Sequence, residues 1–408
     1  MSKEKKKNKR GKWIKFRHRI VRNILYATLG VYSCLKYRMK VKRFREQEKR
    51  PYLILFNHQT PFDQFFVGMA FKGSVYYLAS EDIFSNGWVS SLIRYLVAPI
   101  PIKKQAADVK AVMTCIRVAR EGGTIAIAPE GNRTYSGRTE YMSPSIVPLA
   151  RKLNMPIALY RIEGGYGVQP RWSDVVRRGR MRGYVSRVIS PEEYGAMTDD
   201  ELFSAIKTEL YTDEARPDCE FHHRRLAEYM ERAIYICPFC GLSEFESKGD
   251  TLTCKRCHRT VRYLPNKEIV GVGYEHPFRT VAEWYDYQSD FINRFDPNGA
   301  TEAPLYRECA DLYEVIPYKK KKLIKKGVIL SLYGDRVLAE GMTEPLELPF
   351  ARVSAATVLG RNKLNLVIGD KIYQCKGSRR FNALKYVHIC HRFKNIQKGD
   401  PNEQFLGL

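Results

Sequence analysis

His58 follows a short apolar run, Tyr52 to Phe56, in the stretch Asn57-His58-Gln59-Thr60-Pro61-Phe62-Asp63. An imidazole at the carboxyl edge of a sheet, where α/β proteins bind ligands, can take a proton from a substrate hydroxyl. Asp63 falls about a helical turn further on. A carboxylate there can hydrogen-bond the ring, select its tautomer and stabilise the imidazolium. The stretch contains no Ser or Cys to act as a nucleophile. The chemistry it suggests is direct activation of an acceptor hydroxyl, without a covalent enzyme intermediate. Taken singly, each residue reads equally well as a cap or a satisfied core polar group.

A second constellation follows the apolar run Thr124 to Ala128 and reads Pro129-Glu130-Gly131-Asn132-Arg133-Thr134-Tyr135-Ser136-Gly137. Glycines, hydroxyls and an arginine after a parallel strand can cradle an oxyanion or a phosphate, and Arg133 can grip a phosphate with two parallel hydrogen bonds. An ordinary polar loop has the same composition. The third constellation is two C-x-x-C knuckles, Cys237/Cys240 and Cys254/Cys257, separated by 13 residues. Four thiolates at this spacing resemble a zinc ribbon and imply a structural zinc, since a catalytic zinc keeps an open position. A pair of redox dithiols is the other reading. The remaining six of the ten cysteines are scattered, which fits a reducing compartment rather than a disulfide framework.

The elements needed to position these residues are legible as alternating patterns. Strands are expected at Tyr52–Phe56, Val75–Ala79, Thr124–Ala128, Ile157–Arg161 and Tyr184–Ile189. Helices are expected over Phe62–Phe71, Asp108–Arg120 and Ile146–Leu153. The alternation predicts an α/β domain with a mainly parallel sheet over residues 45–215. Residues 216–265 read as a helix, at 221–234, followed by the ribbon. Residues 266–318 read as an irregular linker. Short strands and a final helix over Arg379–Arg392 give a small α+β domain at 319–408, faintly pleckstrin-homology-like in pattern.

The first 44 residues combine a basic tail with a segment, Ile20 to Tyr37, whose Ile20, Ile24, Leu25, Leu29, Tyr32 and Leu35 recur at helical steps. An apolar helix with cationic flanks predicts an interfacial anchor on anionic lipid; a core helix with a solvated tail is the bland alternative. The uncharged run Asn23–Leu35 is shorter than the roughly 20 residues that span a bilayer. No signal peptide is read. The expected location is therefore the cytoplasmic face of a membrane, peripheral or monotopic.

Together the loops resemble the glycerolipid acyltransferases, typified by 1-acylglycerol-3-phosphate acyltransferase. The first family motif, N-H-x-x-x-x-D, is met by Asn57, His58 and Asp63. The third, P-E-G-T-R-S, is met by Pro129, Glu130, Gly131 and Arg133, with Asn132 for the usual Thr and Thr134 for the usual Ser. The second ends in an Arg, where this chain has Lys104 after Ile100-Pro101-Ile102-Lys103. The fourth fits Ile146-Val147-Pro148-Leu149. The likeness covers about residues 20–215. It implies that His58 deprotonates the acceptor hydroxyl while Asp63 orients it, and that the alkoxide attacks an acyl thioester, acyl-CoA or acyl-carrier protein. It implies a lysophospholipid acceptor, 1-acylglycerol-3-phosphate by default, held through Glu130, Gly131, Arg133, Thr134 and Lys104. Lys104 keeps the charge but not the bidentate fork.

The chain of 408 residues carries 69 Lys+Arg against 44 Asp+Glu, a formal +25. Such a field favours anionic partners, whether membrane lipid, phosphorylated substrate or nucleic acid. The rival reading is a nucleic-acid- or lipid-binding zinc-ribbon protein with an inactive acyltransferase domain. In it, Lys248, Lys255, Arg256, Arg259 and Arg262 contact phosphates while Phe239, Phe245 and Tyr263 stack bases. It leaves the His58 and Glu130 loops without a purpose, so nucleic acid is not the expected partner.

Overall fold

The computed structural model describes residues 11–45, 51–85, 87–102, 108–139, 141–316 and 321–399; Lys104, the tail before Gly11 and Lys319 lie outside them. The strands of the first domain are β1 (Met39–Val41), β2 (Leu53–Phe56), β3 (Val75–Ser80), β4 (Ile100–Ile102), β5 (Thr124–Ile127), β6 (Ile157–Glu163) and β7 (Met181–Ile189). They form one sheet in the order β1-β7-β6-β2-β5-β3-β4. Every neighbouring pair is parallel except β6 and β7. The central strands β2 and β5 are buried along their whole length, which is why they read as unbroken apolar runs rather than alternating ones.

Helices cover both faces. They include α1 (Phe16–Leu25), α2 (Val31–Tyr37), α3 (Asp63–Ala70), α4 (Trp88–Val97), α5 (Val109–Arg120) and α6 (Ile146–Leu153). Leu53 and Leu55 share a core with Cys115, Ile116 and Val147 on one face. Ile54 and Phe56 share the opposite core with Tyr37, Phe66 and Val67. The period-two alternation of β2 thus feeds α5 and α6 on one side and α2 and α3 on the other.

Three sequence expectations change. The segment Ile20–Tyr37 is not one helix: a π-helical turn, Tyr26–Gly30, separates α1 from α2. β1 joins the sheet directly after α2, so the first domain begins before residue 45. Residues 221–234 hold no α-helix, only a 3₁₀ turn at Met230–Arg232. Tertiary hydrogen bonds outbid local propensity there. Phe221 donates its amide to Pro265 at 2.8 Å, Arg178 and His222 exchange amides, and the Ser247 hydroxyl takes the Tyr229 amide at 2.7 Å.

The stretch 266–318, expected to be irregular, holds the helix Val281–Arg294, opened by a Thr280–Glu283 capping box. It also holds the first strand of the C-terminal sheet, Tyr306–Val315, which pairs antiparallel with both Lys322–Leu332 and Lys371–Gly377. That sheet therefore starts well before residue 319. Its seven antiparallel strands closed by the helix Ala383–Gln397 give the pleckstrin-homology-type arrangement that the pattern suggested. The ribbon and the C-terminal sheet are not separate modules. Phe245, Cys254, Trp284, Leu330 and Leu384 share one apolar core, and that core takes in Tyr135 and Trp172 of the first domain.

Candidate active site

β2 and β5 are parallel neighbours, so the loops that follow them emerge side by side at the carboxyl edge of the sheet. Asn57 fixes the first loop. Its side-chain amide donates to the Ile162 carbonyl and accepts the Ile162 amide, both at 2.7 Å, extending the β2–β6 ladder after the β2 backbone has turned away. The buried Glu130 ties the loops together by accepting the His58 amide at 3.1 Å.

Asp63 opens α3 and is 1% exposed, whereas His58 is 30% exposed. Asp63 Oδ2 lies 2.7 Å from His58 Nδ1. The carboxylate also accepts the Gln59 amide at 2.7 Å, the Thr60 amide at 2.9 Å and the Thr60 hydroxyl at 2.7 Å. The tautomer that satisfies this hydrogen-bond pattern carries its proton on Nδ1 and leaves Nε2 as an acceptor.

In the second loop, Gly131 takes φ +69°, and a Cβ there would meet nothing within 4 Å. The Thr134 hydroxyl accepts the Ser136 and Gly137 amides, each at 3.1 Å, and so shapes the loop from inside. Arg133 has an Nη1 sealed from solvent with no hydrogen-bond partner among the described residues. Burial pulls its guanidinium down to about 10, Arg171 and Arg361 pull the same way, and Asp63 opposes them. A buried cationic donor without a partner among the described residues suits an anionic ligand. Lys104 follows β4 and lies outside the described residues.

Residues 38–162 match the family model described as Acyltransferase. Over 206 residues the chain is 23% identical to a chloroplastic 1-acyl-sn-glycerol-3-phosphate acyltransferase of Brassica napus, covering 50% of this chain and 54% of that one. Over 136 residues it is 19% identical to the 1-acyl-sn-glycerol-3-phosphate acyltransferase of Bacillus subtilis, covering 33% of this chain and 65% of that one. The chain thus spans about half the length of the plant relative and 65% of the bacterial one. Among solved structures it is similar to the 1-acyl-sn-glycerophosphate acyltransferase PlsC of Thermotoga maritima, with 19% identity and a TM-score of 0.40 over 48% of this chain and 80% of that one.

Outside the acyltransferase domain, Cys237, Cys240, Cys254 and Cys257 place their four sulfurs within 4.8 Å of one another. Cys237 to Cys257 is 3.7 Å and Cys240 to Cys254 is 3.6 Å. A tetrahedron of sulfurs about 2.3 Å from a zinc ion has edges of about 3.8 Å, so the cluster could hold one. Of the aromatic residues proposed above to stack bases, Phe245 and Tyr263 are buried in the core. Phe239 is exposed, with the Arg259 guanidinium 4.2 Å from its ring centre.

Sequence reading missed α4 as a companion to α1. Trp88, Val89, Leu92 and Tyr95 are exposed, as are Phe16, Ile20, Ile24, Leu29, Tyr32 and Leu35 on the N-terminal helices. Arg17 joins the two helices, donating to the Tyr95 carbonyl at 2.9 Å and lying over the Tyr95 ring. The spacing of Trp88, Leu92 and Tyr95 was the available signal. No helix among the described residues is long and apolar enough to cross a membrane.

Proposed function

We propose that this protein transfers a fatty acyl group from acyl-CoA or acyl-carrier protein to the free hydroxyl of 1-acylglycerol-3-phosphate, giving phosphatidate. The observation that carries the reading is the His58–Asp63 pair, with Nε2 left as base, together with a buried Arg133 Nη1 that has no partner among the described residues. The acceptor hydroxyl gives its proton to His58 Nε2 while its oxygen bonds to the thioester carbonyl carbon. The tetrahedral adduct collapses, the carbon–sulfur bond breaks, and the proton on His58 passes to the departing thiolate. Asp63 holds the imidazolium through Nδ1. Arg133, with Glu130, Gly131, Thr134 and Lys104, positions the acceptor phosphate. A thioester is already activated, so positioning and a base supply much of the rate.

The exposed apolar side chains of α1, α2 and α4 support a location on a membrane surface. They sit beside basic residues such as Arg19 and Lys36, the arrangement that binds anionic lipid. The four cysteines support a structural zinc that holds the ribbon to the shared core.

The test is product formation. Wild-type protein with acyl-CoA or acyl-carrier protein and lysophosphatidate in anionic vesicles should release thiol and yield phosphatidate by lipid mass, and His58→Ala should not. No product with either donor, or equal product from His58→Ala, rejects the reading.

A further inference from the structure

The C-terminal sheet meets the acyltransferase loops through a hairpin. Strands Val353–Leu359 and Lys363–Ile368 pair as far as Leu359 with Lys363, leaving Gly360, Arg361 and Asn362 as the tip. Gly360 supplies the left-handed bend, at φ +62°. Asn362 pins the tip by donating to the Gly377 and Ser378 carbonyls at 2.8 and 3.1 Å, so the hairpin does not hang free.

Two arginines cross the boundary in opposite directions. Arg361 reaches out of the hairpin to Asp174 Oδ1 at 2.8 Å, a carboxylate it shares with Arg232 at 2.6 Å. Arg171 of the first domain donates from Nη1 to the Arg133 carbonyl at 2.8 Å and from Nη2 to the Val358 carbonyl at 3.4 Å. The Asp174 carbonyl in turn accepts from Gln169 Nε2 at 3.5 Å, Gln169 Oε1 accepts the Tyr37 hydroxyl at 2.6 Å, and the Tyr37 ring lies 5.5 Å from that of Phe62, next to Asp63; the charges of Arg171 and Arg361 also lower the proton affinity of Arg133. Tyr37, at the end of α2, feels Arg133, Arg361 and Asp63 together.

Arg133, Arg171 and Arg361, from three distant segments, therefore meet at the boundary between the hairpin and the loops of the first domain. The carboxylates around them are engaged: Asp63 with His58 and the 59–60 amides, Glu130 with the His58 amide, Asp174 with two arginines. Like charges so grouped repel one another, and a buried donor without an acceptor adds a desolvation cost. A multiply charged phosphate monoester relieves both, because each planar fork can meet its oxygens.

We propose that Arg361 is an acceptor-binding residue, and that the C-terminal domain completes a phosphate-monoester site with Arg133 and Arg171. The inference rests on the proposed acylation of a phosphorylated acceptor. It makes the C-terminal domain part of the active site rather than an appended membrane module.

The test uses full-length protein with Arg361→Gln and Arg361→Lys. With lysophosphatidate as acceptor, Arg361→Gln should raise KM roughly tenfold or more with kcat little changed, as expected for a lost charge-assisted contact to the acceptor. Arg361→Lys should recover part of the loss. Calorimetry with glycerol 3-phosphate should give a weaker Kd for Arg361→Gln by a similar factor. An unchanged KM overturns the proposal. So does a fall in kcat and melting temperature with KM unmoved, which marks a purely structural hairpin. If the wild type acylates nothing, the acyl-transfer reading fails by itself. The calorimetry then still decides the site: binding of glycerol 3-phosphate by wild type but not by Arg361→Gln supports it, and equal or absent binding overturns it.

Discussion

Asp63 Oδ2 lies 2.7 Å from His58 Nδ1 and 2.7 Å from the Gln59 amide nitrogen, so one buried oxygen sets both the imidazole and the loop that carries it. Orientation of the base and shape of the loop cannot be separated at this residue. Asp63→Asn puts an amide NH₂ where donors already converge. It should lower kcat/KM by about 100-fold or more and cost roughly 1–3 kcal/mol of stability. His58→Ala should lose about as much activity with little change in urea midpoint. Equal stability of the two variants would separate the roles assigned here.

Asn57 does the work of a backbone group for Ile162. Asn57→Leu leaves the Ile162 amide and carbonyl unpaired in the interior. The expected loss is about 2–4 kcal/mol, read from urea unfolding, with activity falling because His58 is the next residue. A loss under about 0.5 kcal/mol would mean that the loop has another anchor.

Metal analysis of the purified protein should find one zinc per chain. Cys254→Ser should lose it, and because Cys254 lies in the core shared with the C-terminal sheet, acyl transfer should fall as well. Metal-free protein with an unchanged melting temperature would exclude the structural zinc.

Glu214 gives a pH signature. Both its carboxylate oxygens accept the Gly164 amide, at 2.9 and 2.8 Å, yet burial raises the carboxyl to about 7. A carboxyl whose folded pKa is raised binds more protons in the folded state between the unfolded value and about 7. Its stabilising contribution is therefore full below about pH 4.5 and is lost as pH rises through 7. Wild type should lose on the order of 2 kcal/mol relative to Glu214→Gln between pH 5 and 8, allowing for partial exposure. Parallel stability curves for the two proteins would contradict the assignment.

The apolar face of α1, α2 and α4 makes a binding prediction. Trp88 is 76% exposed and Leu35 74%. Trp88→Asp combined with Leu35→Asp should reduce co-sedimentation with anionic vesicles by about tenfold or more, since each removes apolar burial in lipid and adds a repelled charge. Retained binding would assign membrane contact to another surface.

What the sequence alone determined was chemistry carried over short separations. His58 and Asp63 sit within one loop and helix start. The two C-x-x-C knuckles lie in one small ribbon, and β2 and β5 are unbroken apolar runs. Local spacing suffices for these because the chain between the partners is too short to place them elsewhere. Even some local signals went unread: the Thr280–Glu283 capping box marks a helix in a stretch that looked irregular, and the helix expected at 221–234 gave way to hydrogen bonds with Pro265, Arg178 and Ser247, of which Pro265 and Ser247 accept. The tertiary structure alone decided the contacts that span the chain. Asn57 meets Ile162, Tyr135 joins the ribbon's core, Arg171 reaches the Val358 carbonyl and Arg361 reaches Asp174. No periodicity encodes such pairings. They exist only once burial of the shared core has paid the entropy of closing those long loops.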